Sequence, residues 1–104
     1  MYLVHARLRL AAEIPLSDAL IVARLRRAGR DRGLEHVSVH PATGFGPVLG
    51  LFLAADSLDA AERAARAVCL DVLATAPELR GLTLASCEAV APPGYYEQLA
   101  SGPD

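Results

Sequence analysis

The chain contains no lysine and no asparagine. Without lysine there is no Gly-Lys-Ser/Thr sequence, so a phosphate loop ending in those residues is excluded. Apart from histidine, every basic side chain is arginine, and alanine is abundant. That usage matches the coding bias of a GC-rich bacterial genome. Cysteine occurs only at Cys69 and Cys87, so there is no Cys-x-x-Cys pair. Charge of either sign is nearly balanced: the net charge is −2 and the isoelectric point about 5.9. Such a chain has no global attraction to nucleic acid or to an anionic membrane.

No apolar stretch is long enough to span a bilayer. The first residues, Met1-Tyr2-Leu3-Val4-His5-Ala6-Arg7, lack the basic region and apolar run of a secretion signal. The expected compartment is the cytoplasm, where Cys69 and Cys87 are reduced thiols. No serine sits in a nucleophile elbow and no closely spaced carboxylate pair stands out. The sequence therefore nominates no catalytic residue, no metal ligand set and no cofactor.

What remains is ordinary globular composition, with 53% hydrophobic and 21% charged residues in 104. That is one domain with one core. Tyr2 to Leu10 alternates, with Tyr2, Val4, Ala6, Leu8 and Leu10 on one side and Leu3, His5, Arg7 and Arg9 on the other. A period of two predicts a half-buried strand. Ser17 or Asp18 can cap a helix predicted over 17–32. Its apolar stripe is Leu20, Ile21, Leu25 and Ala28, and Gly33 supplies a left-handed end.

Leu34 to His40 alternates again. Val48 to Ala54 is a continuous apolar strand beyond the breaker-rich turn Pro41–Pro47. Asp56 and Ser57 cap a second helix over 57–76, along which Leu58, Ala61, Ala65, Val68, Val72 and Ala76 recur at three- and four-residue steps. Leu82 to Val90 is the fourth strand. Residues 1–91 form the domain and 92–104 a tail, in which Tyr95 to Ala100 can make one helical turn.

The element order is thus β-α-β-β-α-β. It resembles the ferredoxin-like superfold, which implies an α+β domain with a four-stranded antiparallel sheet, two helices on one face and strands one and three central. A superfold does not fix a function. Gly44-Phe45-Gly46 also resembles the start of the third-strand signature of the RNA-recognition motif, with Tyr2 near its first-strand aromatic. Pro47, however, stands where that family's second stacking aromatic belongs, which removes the platform. The glycines of that loop join two strands rather than a strand and a helix, so they are read as a turn and not as a phosphate cradle.

One face of such a sheet lies free of helices. On the third strand, Leu49, Leu51 and Leu53 oppose Val48 and Phe52, so both sides are apolar. On the fourth, Leu82 and Leu84 oppose Ala85 and Cys87, leaving no clean polar side. Something is expected to cover the free face, either a second copy of the chain or the tail with Tyr95, Tyr96 and Leu99.

His5, Arg7, Arg9, His36, Ser38 and His40 lie on the polar sides of their strands. If these sides coincide, they form a cationic face suited to a small anionic ligand. Histidines 36 and 40, four apart on a strand, are roughly 13 Å apart and cannot share a metal unless the strand bends. The run Arg24, Arg26, Arg27, Arg30 and Arg32 reads as a solvated helix face paired with nearby carboxylates, Asp31 among them.

The expected function is a non-enzymatic homo-oligomeric binding or accessory module, a dimer for preference, with neither nucleic acid nor membrane as partner. The alternative is a small enzyme that resembles the dimeric α+β-barrel type in length and element order and acts on a small organic ligand between sheet and helices.

Overall fold

The computed structural model describes residues 1–10, 17–40 and 46–90. The Pro41–Phe45 part of the turn and the tail 92–104, with the helical turn expected at Tyr95 to Ala100 and the cover expected of it over the sheet, lie outside the described residues. Within them the chain runs β1 (Tyr2–Leu10), α1 (Asp18–Gly29), β2 (Leu34–His40), β3 (Val48–Leu53), α2 (Leu58–Thr75), a short 3-10 turn (Pro77–Leu79) and β4 (Leu82–Val90). The four strands form one sheet in the order β2-β3-β1-β4, and every neighbouring pair is antiparallel. The central strands are β1 and β3, as expected from the β-α-β-β-α-β order.

Both helices begin on a serine. The Ser17 hydroxyl accepts the Leu20 N–H at 3.3 Å, and the Ser57 hydroxyl accepts the Ala60 N–H at 3.0 Å. Each takes up one of the amide donors that a first helical turn leaves unpaired, worth about 1 kcal/mol. The first helix stops at Gly29, short of the expected 32. The chain then turns through Arg30–Gly33, closed by a bond from the Arg32 N–H to the Gly29 carbonyl at 3.0 Å. Gly33 adopts φ 84°, where a side chain is strained. Its carbonyl accepts the Ala54 N–H at 2.8 Å, which fastens the entry of β2 to the exit of β3.

The helices lie on one face of the sheet. From below, β1 contributes Val4, Ala6 and Leu8, β3 contributes Leu49, Leu51 and Leu53, and β2 contributes Val37. From above come Ile21 and Leu25 of α1 with Ala61, Ala65, Val68 and Val72 of α2, all buried. The alanines let α2 settle close over β1 and β4, while α1 lies against β2. No buried side chain of this core is polar or charged.

The fourth strand departs from the alternation expected of it. Arg7 pairs with Ser86, but the next residue, Leu8, pairs with Leu84, so Ala85 is the extra residue of a bulge. The bulge resets the phase. Leu82, Leu84, Cys87 and Ala89 all turn to the core, and Thr83, Ser86, Glu88 and Val90 take the other face. The expectation that β4 has no clean polar side is corrected accordingly. Being an edge strand, β4 also has outward amides. One of these, the Ala89 N–H, donates to Glu62 Oε1 of α2 at 2.9 Å, which blunts the edge.

Cys69 and Cys87 are free and buried. Burial, and secondarily the neighbouring Cys87, pushes the Cys69 thiol up from 9.0 to about 12. Burial also raises Cys87, against an opposing pull from Arg66. Both therefore stay protonated and unreactive near neutrality.

Val72 is 4% exposed, so Val72→Asp places an unpaired carboxylate in the core at a cost of several kcal/mol, comparable to the stability of a domain. The variant is expected to be unfolded by circular dichroism, and a cooperative native transition would place the helix face elsewhere. A thiol reagent is expected to label neither cysteine natively and both in denaturant. Because folding raises the Cys69 value, the native state keeps a proton that the unfolded chain releases above about pH 9. That contribution is complete below pH 9 and is lost as pH climbs through about 12. Denaturant titrations between these values should show stability falling with pH, and falling less steeply in Cys69→Ala.

Candidate functional site

The register defines what the helix-free face presents. One row across the sheet reads Ser38, Gly50, His5 and Glu88, from β2 to β4. A second reads His40, Val48, Arg7 and Ser86, and a third His36, Phe52, Leu3 and Val90. Arg9, opposite Thr83, stands beyond the Arg7 row.

All six residues nominated from sequence therefore share one face, in two columns. His36, Ser38 and His40 occupy the edge strand β2, and His5, Arg7 and Arg9 occupy β1. The β3 column separates them by about 10 Å at the ordinary strand spacing. Among the described residues, no three His, Cys, Asp or Glu side chains gather closely enough to hold a metal ion.

Within the β2 column two contacts organise the side chains. Ser38 Oγ and His40 Nε2 are hydrogen-bonded at 3.1 Å. The His36 ring packs against Phe52, with centroids 5.5 Å apart and planes tilted by 51°. The Ser38–His40 pair needs Gly50 beneath it. A Cβ on Gly50 would come within 2.5 Å of Ser38 Oγ, 3.5 Å of Leu3 Cδ1 and 3.9 Å of His40 Nε2. The missing side chain thus leaves room for the Ser38 hydroxyl to lean inward over the sheet.

A hydroxyl bonded to an imidazole is the first half of an activated nucleophile. Among the described residues no carboxylate is hydrogen-bonded to His40 to orient it, so the pair is read as a polar anchor. The face also carries apolar side chains on either side of the His5 row: Leu3, Phe52 and Val90 in one flanking row and Val48 in the other, all half-buried. Glu88, directly opposite His5 and exposed, is its carboxylate on the β4 side. Sequence reading missed Glu88, because its facing depends on the bulge at Ala85. It also missed Gly50, although a lone glycine inside an apolar strand is a signal of close approach by another group.

Elsewhere among the described residues there is open space of two kinds. Between sheet and helices there is a void of about 10 Å³, walled by Leu8, Ile21, Leu49 and other core side chains. Between the helices runs an open groove of about 410 Å³, lined by Arg24, Arg27, Asp71 and Thr75 over Val72 and Ala76. Its charges are largely paired. Arg24 bonds both Glu78 oxygens at 2.7 and 3.1 Å, and Arg32 reaches Asp71 at 3.4 Å. Among the described residues, the partners of Arg24 and Arg32 are thus distant in sequence, and Asp31 is not one of them.

Comparison of the chain with known protein families, with curated proteins and with solved structures finds no match.

Gly50→Ala should cost about 1 kcal/mol, because the new methyl displaces Ser38 Oγ and breaks its bond to His40. In a Ser38→Ala background the same change should cost much less. Chemical denaturation of the four proteins of this cycle gives the coupling, and additive costs would mean that Gly50 and Ser38 act independently.

Proposed function

We propose that this chain is a small homo-oligomeric binding or accessory module of ferredoxin-like fold that associates through its helix-free sheet face. The element order and the strand order β2-β3-β1-β4 support that fold reading. The observation that carries the association is the composition of the face. Leu3, Phe52 and Val90 form an apolar row at one end and Val48 stands at the other, with Gly50 and His5 between them and histidine, arginine and glutamate alongside rather than an unbroken polar surface.

A second copy is the occupant this face fits best. The same patch offers donors on its β2 side and a carboxylate on its β4 side, so it complements itself, and symmetric pairs reuse one patch on both members. Arg7 and Arg9 stand at the rim, where a small anionic ligand is the chemistry they suit. An arginine-only, alanine-rich chain with two reduced thiols suits the bacterial cytoplasm.

The enzyme alternative requires a pocket between sheet and helices. Among the described residues the void there is about 10 Å³, room for about one water, which needs roughly 10–15 Å³, and far less than an organic ligand needs. That supports the binding module over the enzyme.

Light scattering at micromolar concentration should give twice the 10.9 kDa chain mass. Phe52→Glu, which places a charge in the apolar row of the face, should shift the protein to monomer with its circular dichroism unchanged. A monodisperse 10.9 kDa species from the unmodified chain would overturn the reading and assign the face to the chain's own tail.

A further inference from the structure

We infer that the two copies pair about a twofold axis running parallel to the strands, between β1 and β3, so that Glu88 of each copy meets the Ser38 and histidine donors of the other. This rests on the preceding reading that the open face is the interface. It goes further by fixing which residues the second copy contributes.

The register fixes which side chains share a row and a column of the face. When two copies of one sheet face each other, the twofold axis lies in the plane between them, and two orientations respect the strands. An axis running across the strands lays each column on itself. Glu88 then faces Glu88 and His5 faces His5, because both belong to the middle row. The outer rows exchange, which sets Arg7 over Leu3; the other orientation sets Arg7 over Val48, so Arg7 does not choose between them. Like charges directly opposite are unfavourable.

An axis running along the strands keeps the rows and exchanges the columns, β4 over β2 and β1 over β3. Glu88 then faces Ser38, with His36 and His40 two residues to either side. His5 faces Gly50, the one position of the row without a side chain, where the second imidazole completes the Ser38–His40 cluster. Phe52 faces Leu3, and His36 faces Val90. Carboxylate meets donors, and the His5 ring meets the gap at Gly50. In the other orientation Glu88 and His5 each meet their own copy, and these two contacts choose the axis.

Two measurements test the axis. Glu88→Gln keeps the shape of an exposed side chain and removes its charge. With the inferred axis it should weaken the dimer roughly tenfold in sedimentation equilibrium, as loss of a charged interfacial hydrogen bond does. With the other axis it relieves Glu88–Glu88 repulsion and tightens the dimer. Tighter or unchanged association overturns the inference.

The second measurement uses a short bismaleimide on Ser38→Cys, on Glu88→Cys and on the double variant. Cys69 and Cys87 are buried and do not compete. Within one chain β2 and β4 stand three strand spacings apart, roughly 14 Å, so a bridge across that distance inside the chain is disfavoured. A covalent dimer from the double variant alone supports the axis. A covalent dimer from Glu88→Cys alone overturns it, and so does a dimeric double variant that never cross-links. A monomeric unmodified chain would instead remove the interface reading itself.

Discussion

The pairing of β1 with β3 is the contact on which the rest of the molecule depends. Six successive residue pairs, from Tyr2 with Leu53 to Arg7 with Val48, lock the two central strands in one register. Side chains alternate across a strand, so this one register decides both faces at once. It sends Val4, Ala6, Leu49, Leu51 and Leu53 under the helices. It sends Leu3, His5, Arg7, Val48, Gly50 and Phe52 to the open side. A slip by one residue would exchange the two sets and place Arg7 among the core leucines, so core burial enforces the composition of the open face.

Legibility from sequence follows the range of the interactions. Both helix starts could be read because a serine cap acts over three residues. Three of the four strand phases could be read because alternation is local. The fourth could not. Whether Ala85 is paired or bulged is settled by what β1 offers opposite it, and no pattern within Leu82–Val90 states that. Glu88 was missed for the same reason. The salt bridge of Arg24 to Glu78, and the cap of Glu62 on the Ala89 amide, join residues far apart in the chain. The chain's own charge pattern near Arg24 pointed to closer partners. The six nominated face residues were legible as polar-side residues strand by strand, but their division into two columns with β3 between them needed the strand order.

The two edges of the sheet are treated differently, and this bears on how copies can meet. On β4, an amide that would otherwise invite another strand is taken by Glu62. On β2 the outward-facing edge carries no comparable cap among the described residues, but its open-face side chains are held: Ser38 is hydrogen-bonded to His40, and His36 packs on Phe52. Edge-to-edge extension would use backbone groups and be indifferent to those side chains. Face-to-face packing uses them directly, which is why ordered polar contacts on β2 weigh toward the face.

Gly50 shows the trade in one position. Glycine inside a strand weakens it, through chain entropy and the absence of a packing side chain. A valine or leucine there would make the column from Phe52 to Val48 apolar without a break and would suit the strand better. It would also drive Ser38 Oγ outward, because even a methyl group comes within 2.5 Å of that oxygen. The sheet therefore gives up local stability at its centre and gains an inward-leaning hydroxyl held by His40, with a gap beside His5. A surface meant only for solvent needs neither feature. Greasiness alone would have been served by a larger side chain, so the polar cluster set over a gap, between apolar neighbours, is the feature on which the proposed association rests.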